Sequence, residues 1–407
     1  MTPSEPGAGC PQVALSDFLT EAEISTLKSV EQNYAKPTLY LFRHRIRDNY
    51  RKLKSLYPDT EIFYAVKACP HPKILETLIA EGSCFDVASI YELDRVLSLG
   101  CTPDRVSYGN TIKKEKDIAH AFAQGIRMFS TDSDEDVEKL ARNAPGSRVY
   151  FRILTPTFAA DWPLSKKFGA EKHVAIRLAE KARDLGLVPY GVSFHVGSQQ
   201  KATEAWDAAL DGAKTIFDIL SEKGIHLEMV NLGGGLPTPY ITPIPTDTEY
   251  QKSIHESMHR YFGNRKVRFL QEPGRSLAGN IGVIVSEVVL VSKKSDLPHE
   301  PRWVYIDLGL FSGLPETLDE AIKYPLVTSK DGETAPVIMA GPTCDSADIL
   351  YEDFRYDLPL SLTSGDSIYI LSTGAYTQSY SAIEFNGFPP LQAVVLEDGI
   401  DNNEKTL

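Results

Sequence analysis

The sequence predicts an α/β chain: a closed (β/α)8 barrel of the TIM type, followed by a mainly antiparallel β domain. Three observations predict it. Eight short apolar runs lie between residues 62 and 274, and longer amphipathic stretches alternate with them. Beyond about residue 280 the β-like runs continue, but few helical patterns come between them. One early run, TLYLF at 38–42, precedes the barrel pattern and is expected to join the β domain.

The eight strand candidates are IFYAVK (62–67), CFDVAS (84–89), RVSYGN (105–110), RMFST (127–131), VYFRIL (149–154), YGVSFHVGS (190–198), EMVNLGGG (228–235) and RFLQEPG (268–274). Helical patterns such as HPKILETLIAEG, SIYELDRVLSLG and HVAIRLAEKARDLG separate them. Strict alternation implies parallel strands with helices outside, and eight units close a barrel. RHRIRDNYRKLKSLY (43–57) reads as a helix before the first strand. The later runs GVIVSEVVLVSKK, RWVYIDLG, APVIMAG, DSIYILST and LQAVVLED supply the β domain. The expected organisation is a Pro/Gly/Ser-rich disordered start (1–12), a segment contributing to the β domain (13–42), the barrel (43–280) and the β domain (281–407).

With 42% hydrophobic residues the chain can bury a sizeable core. A formal net charge of -13 argues against nucleic acid or an anionic membrane as partner. Cys10, Cys69, Cys84, Cys101 and Cys344 are scattered, without CxxC spacing. That fits a reducing compartment and argues against a disulfide framework or a metal site. Neither a secretory leader pattern nor a run of about 18 apolar residues occurs, so a cytoplasmic protein is expected.

In barrels of this kind the active site lies at the C-terminal ends of the strands. Those ends carry Lys67, Asp86, Asn110, Arg152, His195, Ser198, Gly233 to Gly235, Glu272 and Arg275. Each has an ordinary structural reading: a surface lysine, a satisfied histidine, a tight turn, an ion pair. Together they suggest one pocket. A partly desolvated lysine is a nucleophile for Schiff-base chemistry. Glycines after the seventh strand let backbone amides approach an anion, where barrels often bind phosphate. Glu272 could keep a pyridine nitrogen protonated, and Arg275 could clamp phosphate. In the β domain, GPTCDSAD makes Cys344 a plausible exposed thiol beside Asp345.

The ordered set FYAVKACP, FDVAS, YGNTIKK, KFG at 167–169, GVSFHVGSQ, LGGGLP, EPGRSLAG, GPTCDSAD, GAYTQSYSA and FNGF resembles the ornithine/lysine decarboxylases. These are fold-type III enzymes of pyridoxal 5'-phosphate (PLP), akin to alanine racemase in the barrel. The resemblance runs from about residue 37 to about 396. It implies that Lys67 holds PLP as a Schiff base, with Asp86 near the imine and Arg152 in the pocket. It further implies that His195 stacks on the ring and Glu272 meets the pyridine nitrogen. Ser198, Gly235, Arg275 and Tyr376 match phosphate contacts. Cys344 matches the thiol that protonates the intermediate, Asp345 and Asp319 the carboxylates for the distal amine, and Phe385 an aromatic of the pocket. Lys67, Cys344 and Asp86 are the implied catalytic residues. The resemblance also implies a homodimer in which Cys344 and Asp345 complete the neighbour's site.

Two departures concern substrate fit. The stretch from Tyr376 to Phe385 is one residue longer than in the eukaryotic enzymes, and Leu318 replaces an aromatic. The implied reaction is decarboxylation of a basic L-amino acid, ornithine to putrescine or lysine to cadaverine, in polyamine biosynthesis. A diaminopimelate decarboxylase would need a cation where Asp345 and Asp319 stand. A non-catalytic binding protein like the antizyme inhibitors would lose cofactor residues that are present here.

Overall fold

The computed structural model describes residues 12–156, 160–162, 167–297 and 300–397. Cys10 and the rest of the start up to residue 11 lie outside them. The chain divides into two compact units. One comprises Ile46–Thr238 and Ile244–Leu277; the other comprises the described residues up to Arg45, Pro239–Pro243 and those from Ala278 onward.

The first unit is a closed barrel of eight strands. They are Thr60–Ala65, Cys84–Val87, Val106–Tyr108, Met128–Thr131, Arg148–Arg152, Val188–Ser193, Met229–Asn231 and Arg268–Gln271. Neighbours pair in parallel in chain order, and Phe269 closes the ring on Thr60. Phe63, Met128, Tyr150, Tyr190, Met229 and Leu270 fill the interior, so the barrel is a packed core and not a pore. The Tyr150 hydroxyl, buried in that core, is 2.7 Å from Ser107 Oγ. At the end where the strands begin, Arg268 grips Glu61 with two bonds of 2.6 and 2.7 Å. Chemistry is thereby left to the opposite rim.

Helices fill the gaps between strands, including Pro72–Ala80, Ile90–Ser98, Glu115–Ala123, Asp134–Asn143 and Lys172–Asp184. Arg43–Leu56 is the helix expected before the first strand. Ile90–Ser98 shows how local sequence sets an element: Ser89 accepts from the Glu92 amide, while the Glu92 carboxylate accepts from Ala88 N–H at 2.7 Å. Leu93 and Val96 then face inward.

The structure corrects the strand ends. The first strand stops at Ala65, and Val66–Ala68 form a 3-10 turn that carries Lys67 beyond the rim. Ala65 N–H is taken by Pro273 O at 3.1 Å, and Pro273 has no N–H with which to continue the ladder. The sixth strand stops at Ser193. Past a left-handed Gly197 (φ +99), Ser198–Gln200 pairs antiparallel with Ala160–Trp162 outside the barrel. His195 and Ser198 therefore stand on a loop and not on one continuous strand.

The second unit is a mainly antiparallel sheet with two parallel pairings. Its long strand Gly282–Lys293 pairs antiparallel with Thr38–Phe42, Ser367–Leu371 and Arg302–Ile306. TLYLF is thus a strand of this unit, as its composition predicts. Tyr40, Phe42, Val283, Val285, Tyr369 and Leu371 form its core with Leu19 and Leu27. Leu27 lies on Glu21–Val30, a helix that the alternation of apolar runs does not reveal. No described helix is long and apolar enough to cross a membrane.

Candidate active site

Eleven of the residues singled out in the sequence lie at the C-terminal rim of the barrel unit. Asp86, third residue of its strand, is 5% exposed, and its Oδ1 has no hydrogen-bond partner among the described residues. Gly109 makes room for it: a Cβ there would stand 1.9 Å from Oδ1. Burial raises the Asp86 pKa well above the usual carboxylate range. The Glu272 charge adds to the rise, while Lys67 and Arg152 oppose it. A buried, partnerless carboxylate oxygen beside two cations is a place for a further N–H donor.

That carboxylate costs stability when the pocket is empty. Because its folded-state pKa is raised, the contribution of Asp86 is present below the unfolded value of 3.8 and lost as pH rises through the folded value. Asp86→Asn is therefore expected to stabilise the cofactor-free protein at pH 8 by about 1–3 kcal/mol. The gain should fade toward pH 4. Thermal melts of the two apoproteins across this range check it; a lower midpoint for the variant at pH 8 contradicts it.

His195 is largely buried, and burial holds its pKa well below the ordinary value, aided by the nearby charges of Arg152 and Lys67. Its Nδ1 accepts from Gly197 N–H at 3.0 Å, which puts the ring proton of the neutral imidazole on Nε2. A flat, neutral ring is what stacking on a flat ligand requires. Lys67 is exposed on its turn, and its charge acts on Asp86, Glu92 and His195. It stands at the pocket and not in bulk solvent alone.

Gly233–Gly235 pass so close to the neighbouring loops that side chains are excluded. A Cβ would meet Phe194 O at 2.0 Å from Gly233, Glu272 O at 2.8 Å from Gly234 and Gly197 O at 2.8 Å from Gly235. Gly233 and Gly235 also need positive φ, +64 and +111. Among the described residues, the amides of Gly234 and Gly235 donate to no protein acceptor. Arg275, 3% exposed, donates Nε–H to Ser198 Oγ at 3.1 Å. Amides, hydroxyl and guanidinium together suit a phosphate.

Asn231 was missed. It is 1% exposed; its Oδ1 accepts from Gly233 N–H at 2.9 Å and its amide donates to Glu272 Oε1. One side chain thus ties the glycine loop to the carboxylate. An Asn inside an apolar strand run is the signal that points to it, since such a group must find partners. Glu92 was missed as well: a largely buried helix-capping carboxylate whose raised pKa follows from burial.

The other predicted residues lie in the β unit. Cys344 and Asp345 are exposed. Cys344 N–H donates to Asn386 Oδ1 at 3.1 Å, which joins this loop to the turn Phe385–Gly387. Phe385 packs on Phe311 with ring centroids 4.9 Å apart. Asp348, 3% exposed and also missed, anchors the loop by accepting from Leu310 N–H (2.7 Å), Thr343 N–H (3.1 Å) and Thr343 Oγ1 (2.7 Å). Tyr376 stands at φ +57 with its ring 5.9 Å from Tyr380. Asp319 is exposed and makes no side-chain hydrogen bond to any described residue, so the structure does not join it to Cys344 or Asp345. Among the described residues no His/Cys/Asp/Glu group could hold a metal ion.

The family model "Pyridoxal-dependent decarboxylase, pyridoxal binding domain" matches residues 43–279. The "Lysine/ornithine decarboxylase" of Selenomonas ruminantium is 32% identical over 381 residues, 93% of this chain and 94% of that protein. "Antizyme inhibitor 2" of Xenopus laevis is 32% identical over 356 residues, 84% of this chain and 77% of that protein. The crystal structure of the lysine/ornithine decarboxylase of Vibrio vulnificus complexed with cadaverine superposes with a TM-score of 0.84 at 30% identity, covering 93% of this chain and 100% of that one.

Proposed function

The chain belongs to the pyridoxal-dependent decarboxylase family, and from that premise we propose that it converts L-ornithine to putrescine, L-lysine to cadaverine, or both. It is a carboxy-lyase of basic amino acids that works with PLP. One observation carries the assignment of residues: the orphaned Asp86 oxygen, the glycine cradle and the Ser198–Arg275 pair share the rim on which Lys67 stands. They fit PLP. Lys67 would carry the aldehyde carbon, Asp86 would meet the nitrogen bonded there, and His195 would cover one ring face. Gly235, Ser198, Arg275 and Tyr376 would hold the phosphate.

When bound, the cofactor supplies the electron sink for loss of CO₂. Glu272, oriented by Asn231, would hold the ring nitrogen in its protonated form and so strengthen that sink. Arg152 balances charge beside Asp86. Cys344 delivers a proton to the substrate α-carbon. Asp345 and Asp319 receive the distal ammonium, and Phe385 walls the pocket. Ornithine and lysine differ by one methylene, worth about 1–3 kcal/mol, so one site serves both with modest preference.

We further propose a cytoplasmic homodimer with shared sites. Cys344 and Asp345 are exposed beside Phe385, Ile383 and Phe388, which are 38%, 80% and 36% exposed. A reactive thiol amid exposed apolar side chains suits a surface that a second copy covers. Mixing inactive Lys67→Ala and Cys344→Ala proteins should then restore roughly a quarter of wild-type activity, since half the dimers are mixed and each holds one intact site. No recovery after verified subunit exchange contradicts sharing.

The likeness to an antizyme inhibitor keeps a non-catalytic reading in view. Measuring CO₂ release from ornithine, lysine, arginine and diaminopimelate side by side decides. Turnover of ornithine or lysine supports the proposal; turnover of none, or of diaminopimelate alone, refutes it.

A further inference from the structure

The turn Pro315–Glu320 ends with two successive non-glycine residues in the left-handed region, Asp319 at φ +51 and Glu320 at φ +52. L-residues rarely adopt this conformation, and two in a row need something to hold them. Asp319 does not hold itself, for its exposed carboxylate bonds to no described residue. Leu318 is 50% exposed and offers little packing to steer its neighbour.

Glu320 supplies the restraint. Its Oε1 accepts from the amides of Glu352 and Asp353, both at 2.7 Å, and its Oε2 from Phe354 at 2.8 Å. Those amides are available because the strand Ile349–Pro359 bulges. Tyr351 pairs with Met339 and Tyr356 with Val337, so residues 352–355 stand opposite Ile338 alone. Three successive N–H groups form a concave anion site, and a carboxylate of the same chain fills it. Lys323 Nζ also donates to Glu320 O at 2.6 Å, securing the backbone after the left-handed pair.

We infer that Glu320 is a positioning residue: it clamps the left-handed turn so that the Asp319 carboxylate projects in one direction, toward the distal ammonium of a diamino acid. The inference rests on the reading of Asp319 given above. It assigns to Glu320 a share in selecting diamino acids over substrates without the second amine. An unclamped turn relaxes to ordinary backbone angles and carries Asp319 away. Apart from Tyr376, the residues proposed for the cofactor are in the other unit and keep their places.

The test compares Glu320→Ala, Glu320→Gln, Asp319→Asn and the double variant Asp319→Asn/Glu320→Ala as holoenzymes. The substrates are L-lysine, L-ornithine and L-norleucine, which lacks the distal amine. Glu320→Ala should raise KM for the diamino acids about tenfold, as for loss of charge-assisted hydrogen bonds, with kcat changed less than twofold. Glu320→Gln, which keeps one acceptor oxygen and guards against a folding failure, should fall between it and wild type. Norleucine kinetics should not change, and the double variant should be no worse than Asp319→Asn. A raised KM in Asp319→Asn with an unchanged KM in Glu320→Ala overturns the inference alone. So do independent, multiplying effects in the double variant. An unchanged KM in Asp319→Asn overturns the reading of Asp319 and the inference with it.

Discussion

Lys67→Ala is expected to leave a folded protein with decarboxylase activity at least 10³-fold lower, about 4 kcal/mol of lost transition-state stabilisation. The side chain is exposed on a 3-10 turn, while Val66 and Ala68 on either side of it are buried. Truncation therefore removes little packing, but Asp86 loses a counter-charge, so the melting midpoint of the apoprotein should fall modestly at pH 8. What disappears is the only amine among the predicted cofactor residues that can bond to an aldehyde. The phosphate contacts proposed for Gly235, Ser198 and Arg275 would remain, so PLP should still bind, without the absorbance of a lysine-linked cofactor. Spectra, melts and CO₂ release on one preparation check all three statements.

The second large effect concerns the substrate end. Asp345→Ala should raise KM for lysine and ornithine by roughly 30-fold to 5 × 10³-fold, the cost of about 2–5 kcal/mol for removing one partner of a desolvated charge pair. Among the described residues the exposed Asp345 carboxylate accepts only from Ala347 N–H, at 2.9 Å, so the fold should hardly notice. L-norleucine, with no distal ammonium, should not lose kcat/KM. Steady-state kinetics with the three amino acids measures the difference. Equal losses on all three would show a general distortion and remove the distal-amine role.

The barrel was legible because its strands are apolar and regularly spaced, and each predicted run overlaps the strand found there. Their ends were not legible. Composition carried IFYAVK on to Lys67, but hydrogen bonding stopped the strand at Ala65, where the ladder meets Pro273. GVSFHVGS read as one strand, yet Gly197 at φ +99 breaks it and turns Ser198 into a separate hairpin-like pair. Helix Glu21–Val30 escaped notice because part of its buried face is polar. Glu23 on it is 5% exposed, and Arg45 and Thr20 bring its pKa down to about 2 although burial alone would raise it.

The site shows the same division. Residues proposed to carry the cofactor chemistry were recognisable by type and by their place after a strand. Residues that orient them were not, because their partners are remote in sequence. Asn231 reaches Glu272, Asp348 reaches Leu310, and Glu320 reaches a bulge at 352–354 whose register no local pattern announces. Polar residues inside apolar stretches, and glycines such as Gly309 and Gly341 that leave space for the Asp348 carboxylate, are the usable clues.

Borohydride reduction of the PLP-loaded enzyme, followed by peptide mapping, asks directly which nitrogen holds the cofactor. The account predicts a pyridoxyl group on the peptide spanning residue 67 and on no other, since a buried amine such as Lys113 is already committed to Asp136 at 2.7 Å. A label on a different lysine, or none after complete reduction, would contradict it.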